Sequence, residues 1–226
     1  MGKREEVRQR TFAEILETAG RMAEAEGWRA VTIRRIAAEI GYSAPVIYQH
    51  FPSKDAVLHT LLERVNGELA ERMRAAVAGQ PAAQGPHLAA AAYLEFARSR
   101  PGLYQLMSGA PGTDVDASTR RAAAADVITF TRQLIGAWAA ETAPETAAEP
   151  ARVEDACDLL WGTLHGLACI GSIDDIGFDR ALRLADQGVT ALLDYWSSAT
   201  ANPEVRQQTT LRQQTSIRTQ TTEGEK

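Results

Sequence analysis

Residues 31–54 read VTIRRIAAEIGYSAPVIYQHFPSK and decide the fold of the chain. They predict two short helices joined by a turn at Gly41, because a helix end favours a residue that tolerates positive φ. The hydroxyl groups of Thr32 and Ser43 stand where they can cap the two helices, and Pro45 falls in the first turn of the second, where a missing N–H costs little. The first helix buries the apolar residues that recur at helical spacing: Ile33, Ile36, Ala37 and Ile40.

The second predicted helix, which ends near His50, is too short to be stable alone. It must therefore pack on its neighbours, and the apolar residues able to do so are Val46, Ile47 and Phe51. Its outer face keeps small or polar side chains: Ala44, Tyr48, Gln49 and His50. Two helices joined by a glycine-containing turn, the second with such a face exposed, form the helix-turn-helix layout that enters a DNA major groove.

The charge of the chain is unevenly distributed. The 226 residues have a net charge of −5, but residues 1–54 carry nine Lys and Arg against seven Asp and Glu. Residues 55–200 carry eleven against nineteen, and residues 201–226 carry four against three. A basic-leaning head on an acidic body suits specific DNA binding with limited non-specific association.

The beginning of the chain, MGKREEVRQR, contains no apolar core of the kind found in signal peptides. The longest uncharged apolar run, residues 88–94, is far shorter than a membrane span of about 20 residues. We therefore expect a cytoplasmic protein without a membrane partner.

The chain as a whole predicts an all-α protein of about nine helices. A long connecting helix begins at Ser53 and runs to about Ala78, and it joins the helix-turn-helix head to the remainder of the chain. The other helices outside the motif are predicted over residues 5–26, 86–99, 101–107, 116–141, 151–170 and 178–197, with a Pro/Ala/Glu linker over residues 142–150. The first of them buries a stripe of Phe12, Ile15, Leu16, Ala19, Met22 and Ala23.

Three segments follow from this pattern. We expect residues 1–55 to form a three-helix DNA-binding domain and residues 56–199 to form a second helical domain, of which residues 56–78 are the connecting helix. Residues 200–226 are rich in Gln and Thr and lack a core-forming pattern, so we expect a mobile polar tail there.

Several motifs resemble the TetR family of transcriptional regulators. They are TIRRIA at 32–37, GYS at 41–43, IYQHF at 47–51 and Lys54. In the second half, WGTLHG at 161–166, preceded by PGLYQLM at 101–107, is similar to the TetR C-terminal group named for a Trp-His-Gly signature. The resemblance implies an N-terminal helix-turn-helix domain and a helical C-terminal domain that binds a ligand and dimerises.

The resemblance also implies DNA contacts within the helix-turn-helix. It places Arg34 in the groove. It also implies contacts with bases, sugars or phosphates for Thr32, Arg35, Ser43, Ala44, Pro45, Val46, Tyr48, Gln49, His50 and Lys54. Arg34 either forks onto guanine or is a solvated surface side chain, and Val46 either meets a thymine methyl or joins the core. His50 either donates to a phosphate or packs under Phe51. The basic start of the first helix either reaches phosphates or forms a solvated face: Lys3, Arg4, Arg8 and Arg10.

A partly apolar small-molecule pocket is predicted between the middle helices of the second half. Its candidate lining residues are Tyr93, Phe96, Tyr104, Met107, Phe130, Trp138, Trp161 and His165. At helical spacing the same residues also fit a plain core. His165 is either a pocket donor or a buried histidine bonded to a backbone group.

The last two predicted helices carry apolar residues at steps of three and four. These are Val153, Cys157, Leu160 and Leu164 in one helix and Leu182, Ala185, Val189, Leu192 and Trp196 in the other. Such spacing suits helices that cross at a shallow angle, and two helices from each of two chains would form a four-helix dimer interface. The alternative is packing within one chain; we favour the homodimer, because pairing gives half-site readout of DNA.

The preferred hypothesis is therefore a ligand-responsive dimeric repressor of palindromic double-stranded operator DNA, without a cofactor. An enzyme in the helical half, with His165 as acid or base, is the first alternative. Its weakness is that the four histidines are scattered and no metal spacing, phosphate loop or nucleophile motif occurs in the sequence. A helical adaptor that binds protein through the motif is the second, and Arg34, Arg35 and Lys54 argue against it.

Overall fold

A computed structural model describes residues 2–147, 149–171 and 177–198 of the chain. The predicted tail over residues 200–226 lies outside the described residues. All regular secondary structure within the described ranges is helical, as predicted. Within the same ranges, none of the helices combines the length and the apolar character that crossing a bilayer requires.

The head contains three helices around the predicted turn. They are α1 (Lys3–Glu26), α2 (Ile33–Glu39) and α3 (Ala44–His50), with a 3-10 turn at Trp28–Ala30. The long helix α4 (Lys54–Val77) leads into the body. The body continues with α5 (Gly85–Ser99), α6 (Pro101–Ser108), α7 (Ala117–Ala123), α8 (Ala125–Thr142), α9 (Pro144–Ala147), α10 (Pro150–Gly171) and α11 (Phe178–Ser198).

The local signals around the turn are mostly confirmed. Thr32 caps α2, its Oγ1 accepting from the backbone N–H of Arg35 at 3.3 Å, and Gly41 has a φ of 74°. Ser53 caps α4 in the same way, at 3.1 Å from the amide of Ala56. The predicted cap by Ser43 is wrong, because its side chain makes no capping hydrogen bond to α3. The exposed Ser43 hydroxyl is therefore not used to hold its own helix.

The body differs from prediction in two connections. The helix predicted over residues 116–141 is divided into α7 and α8 at Ala124, whose ψ of 0° interrupts the helical ladder. The alanine run around this position carries no strong apolar stripe, so the sequence offers no signal for the break. The predicted linker over residues 142–150 also contains the short helix α9.

One continuous apolar core joins the head to the body. It includes Ile15 of α1, Ile47 of α3, Leu69 of α4 and Leu94 of α5, each without exposed surface. Phe12, predicted to be buried, is instead 37% exposed and stacks on Phe51 with ring centroids 4.6 Å apart. Because buried contacts run through the whole length of α4, the head and the body are packed as one unit.

The start of α6 is held by side chains from the head. The carboxylate of Glu24 in α1 accepts the backbone N–H groups of Gly102 and Leu103 at 2.7 and 3.2 Å. The indole of Trp28 donates to the carbonyl oxygen of Gly102 at 2.7 Å. The two bonds to Glu24 satisfy amide donors that a helix N-terminus otherwise leaves without partners, and together with the Trp28 bond they fasten α6 to the head.

The apolar stripes of the last two helices are real but face the interior of the same chain. Six of the nine predicted dimer residues are buried there: Cys157, Leu160, Leu164, Ala185, Val189 and Trp196. The other three are partly buried and pack against the same core: Val153, Leu182 and Leu192. The burial supports the alternative of packing within one chain for these residues, because α10 and α11 pack against each other and against α5. Seven-residue spacing shows which face of a helix is buried and does not show which partner buries it.

The two predicted caps differ in their expected contribution to stability. We expect Thr32→Ala to lower the free energy of unfolding by about 1 kcal/mol, because the substitution removes the acceptor for the Arg35 amide. Ser43→Ala should change it by less than about 0.5 kcal/mol. Urea denaturation followed by circular dichroism measures both, and equal losses would contradict the cap assignment.

The junction of α1 and α6 should tolerate no side chain at Gly102. A Cβ there would lie 2.9 Å from the backbone nitrogen of Glu24, so Gly102→Ala should destabilise the protein by about 1–3 kcal/mol through overpacking. Gly67→Ala is the matched control, because a Cβ at this helical position in α4 meets no atom within 4 Å. That substitution should stabilise the protein by about 0.5–1 kcal/mol.

Candidate nucleic-acid interface and ligand cavity

The helix-turn-helix exposes most of the side chains predicted to meet DNA. Tyr48 is 53% exposed although it is large and aromatic, while Ile47 beside it is completely buried and anchors α3. The other exposed candidates are Thr32, Arg34, Arg35, Ser43, Pro45 and Gln49. Ala44, Val46, His50 and Lys54 are half-buried, so Val46 contributes to packing and keeps part of its surface outside.

The two adjacent arginines of α2 have different surroundings. Arg35 forms a two-point salt bridge with Glu26, at 2.7 and 3.0 Å, and also donates to the carbonyl oxygen of Ala30. Glu26 raises the pKa of Arg35, and the guanidinium in turn lowers the pKa of Glu26, mainly through these hydrogen bonds. Arg34 is exposed and forms no salt bridge with another described residue. Arg34 is thus the arginine of this pair that is free to reach a groove.

The basic start of α1 lies beside the end of α3. His50 shares a cleft with Glu5, Arg8, Gln9 and Phe12. His50 is half-buried and lines this cleft together with Arg8. Of the four basic residues at the chain start, Arg8 is placed next to the predicted DNA-reading helix.

A cavity of about 210 Å³ lies in the body. It is bounded by α4, α6, α7, α8 and α10, through residues Asn66, Met107, Arg120, Arg121, Ala124, Ile128, Thr131, Arg132, Cys157, Asp158 and Trp161. The wall combines apolar groups, such as Met107 and Ile128, with several charged and polar side chains. Such a mixture is typical of a binding site for a small molecule.

The polar groups of the cavity are only partly satisfied. Asn66 is 2% exposed, and its Nδ2 donates to the carbonyl oxygen of Leu62 at 2.8 Å. Among the described residues nothing donates to the buried Oδ1 of Asn66, and nothing accepts from the buried Nε of Arg132. Arg132 uses its Nη2 to pair with Glu154 at 2.8 Å. Burial raises the pKa of the Cys157 thiol to about 11, so this wall carries a neutral thiol at pH 7.

The structure brings only some of the predicted pocket residues together. Met107 and Trp161 line the cavity. Phe96, Phe130 and Trp138 do not, because they are buried core residues that fill the space between helices. Their alternative interpretation as plain core is therefore the one that the structure supports.

Tyr93, Tyr104 and His165 form a hydrogen-bonded group next to the cavity. The Oη of Tyr104 lies 3.1 Å from the Oη of Tyr93 and 2.7 Å from the Nδ1 of His165. Trp161 stacks parallel to His165, with ring centroids 6.3 Å apart. Burial raises the pKa of both tyrosines and lowers the pKa of His165, so all three rings are neutral at pH 7. Of the two alternatives for His165, the backbone-bonded one is not observed among the described residues, because its Nδ1 pairs with the Tyr104 hydroxyl.

Sequence reasoning missed several of the residues that form these sites. Asn66 and the three arginines of the cavity, Arg120, Arg121 and Arg132, lie on helices whose polar positions read as solvent-exposed. An asparagine flanked by apolar stripe residues in the middle of α4 was the one usable signal, because a polar side chain on a buried face needs a partner. Within the described residues no group of three His, Cys, Asp or Glu side chains is placed to hold a metal ion.

Comparison with known proteins identifies both halves of the chain. The family model "Bacterial regulatory proteins, tetR family" matches residues 15–61, and the model "Tetracyclin repressor-like, C-terminal domain" matches residues 87–194. Among curated proteins, the nucleoid occlusion factor SlmA of Serratia proteamaculans is 29% identical over 111 residues. The match covers 48% of this chain and 56% of that protein, so the chain spans just over half the length of this relative.

Solved structures share the fold over most of the chain. SCO4454, a TetR-family transcriptional regulator from Streptomyces coelicolor, superposes with a TM-score of 0.64 at 24% identity and covers 82% of this chain and 95% of its own. FadR from Bacillus subtilis, solved in complex with stearoyl-CoA, gives a TM-score of 0.63 at 16% identity, with 80% and 97% covered. The two family models account for more than half of the 226 residues, one for each half of the fold. The chain is a member of the TetR family of bacterial transcriptional regulators.

Proposed function

We propose that the protein is a dimeric repressor that binds palindromic operator DNA through its head, residues 1–55, and releases it when a small molecule fills the body cavity. The observation that carries the proposal is the position of the cavity. Asn66 of α4 and Met107 of α6 both line it, and both helices also pack against α1 of the head. A ligand that touches these two helices can change the orientation of the head.

The DNA side of the proposal is supported by the surface of α3. Tyr48, Gln49 and Ser43 are exposed and are not needed to hold the helix together. Arg34 adds a free guanidinium from α2, and Lys54 stands at the N-terminus of α4, where the helix dipole also favours phosphate. In this arrangement α3 enters the major groove, Arg34 of α2 reaches the same groove, and the start of α4 contacts the backbone.

The coupling between cavity and head has a geometrical basis. α4 has 24 residues, so its length is about 36 Å. One end adjoins α3, and the middle, at Asn66, forms part of the cavity wall. A small tilt of α4 in each protomer changes the spacing of two recognition helices, which must lie about 34 Å apart to meet successive major grooves. The ligand binds more tightly to the arrangement whose helix spacing does not fit DNA. It therefore shifts the population of protein molecules towards that arrangement.

The dimer interface is proposed on the outer face of α10. Leu159 and Ile170 are 51% and 45% exposed there, and a Cβ at Gly162 or Gly166 between them would meet no atom within 4 Å. On α11, Tyr195 is 57% exposed. Small residues flanked by large apolar ones allow a second helix to approach closely, so a second copy of the chain can cover this face.

The most informative test of the function is operator selection. Selection of bound sequences from random DNA should return an inverted repeat, and gel shifts with that sequence should show affinity that falls steeply as salt rises. A screen of small molecules against the complex should then find compounds that release the DNA. Recovery of no preferred sequence would contradict the proposal.

Substitutions on α3 should separate DNA binding from folding. Tyr48→Ala and Gln49→Ala should each weaken binding to the selected operator by roughly 10- to 100-fold, because each removes contacts worth about 1–3 kcal/mol. Gln133→Ala, at an exposed glutamine of α8 in the body, is the matched control and should bind normally. Both α3 variants should remain dimeric in size-exclusion chromatography. Unchanged affinity in both would remove α3 from the DNA interface.

Substitutions on α10 should test the dimer. Leu159→Glu places a charge in the proposed interface, where a charge without a partner is costly. We expect the dissociation constant of the dimer to rise at least roughly tenfold, which corresponds to a loss of about 1.4 kcal/mol in dimer stability. Operator binding should weaken with it. Ala140→Glu, at an exposed position of α8, is the control. Sedimentation analysis over a concentration series measures both, and a stable Leu159→Glu dimer would move the interface elsewhere.

A further inference from the structure

The charge of the body cavity differs from the charge of the body as a whole. Residues 55–200 carry nineteen acidic and eleven basic residues, yet the described residues that line the cavity include three arginines and a single carboxylate, that of Asp158. Arg120 and Arg121 come from α7 and Arg132 from α8. An acidic domain that gathers cations around a cavity creates a local preference for anions.

The three guanidinium groups differ in how far they are already occupied. Arg120 donates through Nη1 to the carbonyl oxygen of Val115, and Arg132 pairs with Glu154 through Nη2. Arg121 is exposed and forms no salt bridge with any described residue, and the Nε of Arg132 is buried without a partner among them. Donors therefore remain for a carboxylate at the α7–α8 side of the cavity.

At Asn66 the cavity offers a hydrogen-bond acceptor instead of a donor. Its amide orientation is set because Nδ2 is held by the carbonyl oxygen of Leu62, which leaves Oδ1 as a buried acceptor without a described donor. An unsatisfied buried acceptor costs about 1–3 kcal/mol. A ligand hydroxyl or amine that donates to this oxygen would remove the cost. Asn66 thus selects for a hydrogen-bond donor on the ligand.

Between these polar points the wall is apolar. Met107, Ile128 and Trp161 form this apolar part of the wall. The thiol of Cys157 is neutral and adds no charge. The volume of about 210 Å³ is below the range of roughly 300–1,000 Å³ usual for drug-sized ligands. The occupant is therefore a compact molecule with an apolar middle.

From these features we infer that the cavity binds a small hydroxylated carboxylic acid. Its carboxylate lies against Arg121 and Arg132, its apolar middle against Met107, Ile128 and Trp161, and its hydroxyl donates to Asn66. The inference rests on the proposed function only for the role of this cavity as the effector site. Binding itself follows from the lining groups.

Isothermal titration calorimetry of the full-length protein tests the inference with matched probes. Three hydroxylated carboxylates are used: 3-(4-hydroxyphenyl)propanoate, 4-hydroxycinnamate and 6-hydroxyhexanoate. Each is compared with its primary amide and with the analogue that lacks the hydroxyl. At least one carboxylate should bind roughly tenfold more tightly than its amide and than its deoxy analogue, because hydrogen bonds to charged groups and to a buried acceptor are each worth about a factor of ten. Inorganic phosphate and phenyl phosphate form a separate arm, and tighter binding of phenyl phosphate than of every carboxylate would overturn the carboxylate assignment.

Protein variants locate the contacts. Arg121→Gln should weaken the best carboxylate roughly tenfold and leave its amide unchanged, whereas Arg98→Gln, at an exposed arginine of α5 paired with Glu95, should change neither. Asn66→Leu should abolish the advantage of the hydroxylated probe over its deoxy analogue. No binding by any carboxylate, equal binding of carboxylates and amides, or an Arg121→Gln variant that binds normally would each overturn the inference.

Operator release is measured separately, so that the two proposals can fail independently. A carboxylate that binds in the cavity without changing DNA affinity upholds this ligand class and refutes the effector role of the cavity. A neutral compound that binds in the cavity and releases DNA upholds the effector role and refutes the ligand class.

Discussion

The carboxylate of Glu24 at the N-terminus of α6 is the contact on which the arrangement of head and body depends. A helix that begins in a protein interior must satisfy its first amide groups, and it usually does so with its own capping residue. In this chain Arg100 and Pro101 precede those amides and offer no side-chain cap. Glu24 supplies the acceptor from α1, so α6 is complete only when the head is docked.

The contacts around this junction leave little room for independent movement. The Trp28 indole holds the Gly102 carbonyl oxygen from the other side of the same peptide unit, and Gly102 approaches the backbone of Ala23 and Glu24 too closely for a side chain. At the far end of the same eight-residue helix, Met107 faces the cavity. In the proposed mechanism a displacement at Met107 would reach α1, because α6 has only eight residues and is attached to α1 at its start. α4 offers a second connection, and the two helices contact each other.

The sequence predicted the head in detail because its signals are local. A cap at Thr32 and a positive φ at Gly41 act over a few residues, and the buried stripe of α2 follows from helical periodicity alone. The junction at Glu24 lies beyond such reasoning, because its partner, Gly102, is 78 residues away in sequence. The apolar stripe of α10 is buried, as its spacing predicts, but periodicity does not show which helix buries it. Likewise, the arginines of α7 and α8 occupy positions that the sequence pattern assigns to the surface. They come together at the cavity only in the folded chain.

The proposed ligand role gives a physical reason for two polar atoms of the cavity that no described residue satisfies. The Oδ1 of Asn66 and the Nε of Arg132 each cost about 1–3 kcal/mol relative to a satisfied state. An apolar residue at either position would remove that cost, so stability alone does not explain them. Both atoms lie on helices that form part of one continuous core with the head, and a ligand that satisfies them stabilises whichever arrangement of α4 and α8 fits around it. Since a ligand shifts an equilibrium only by its difference in affinity between two arrangements, polar atoms left unsatisfied in one of them are a direct way to create that difference.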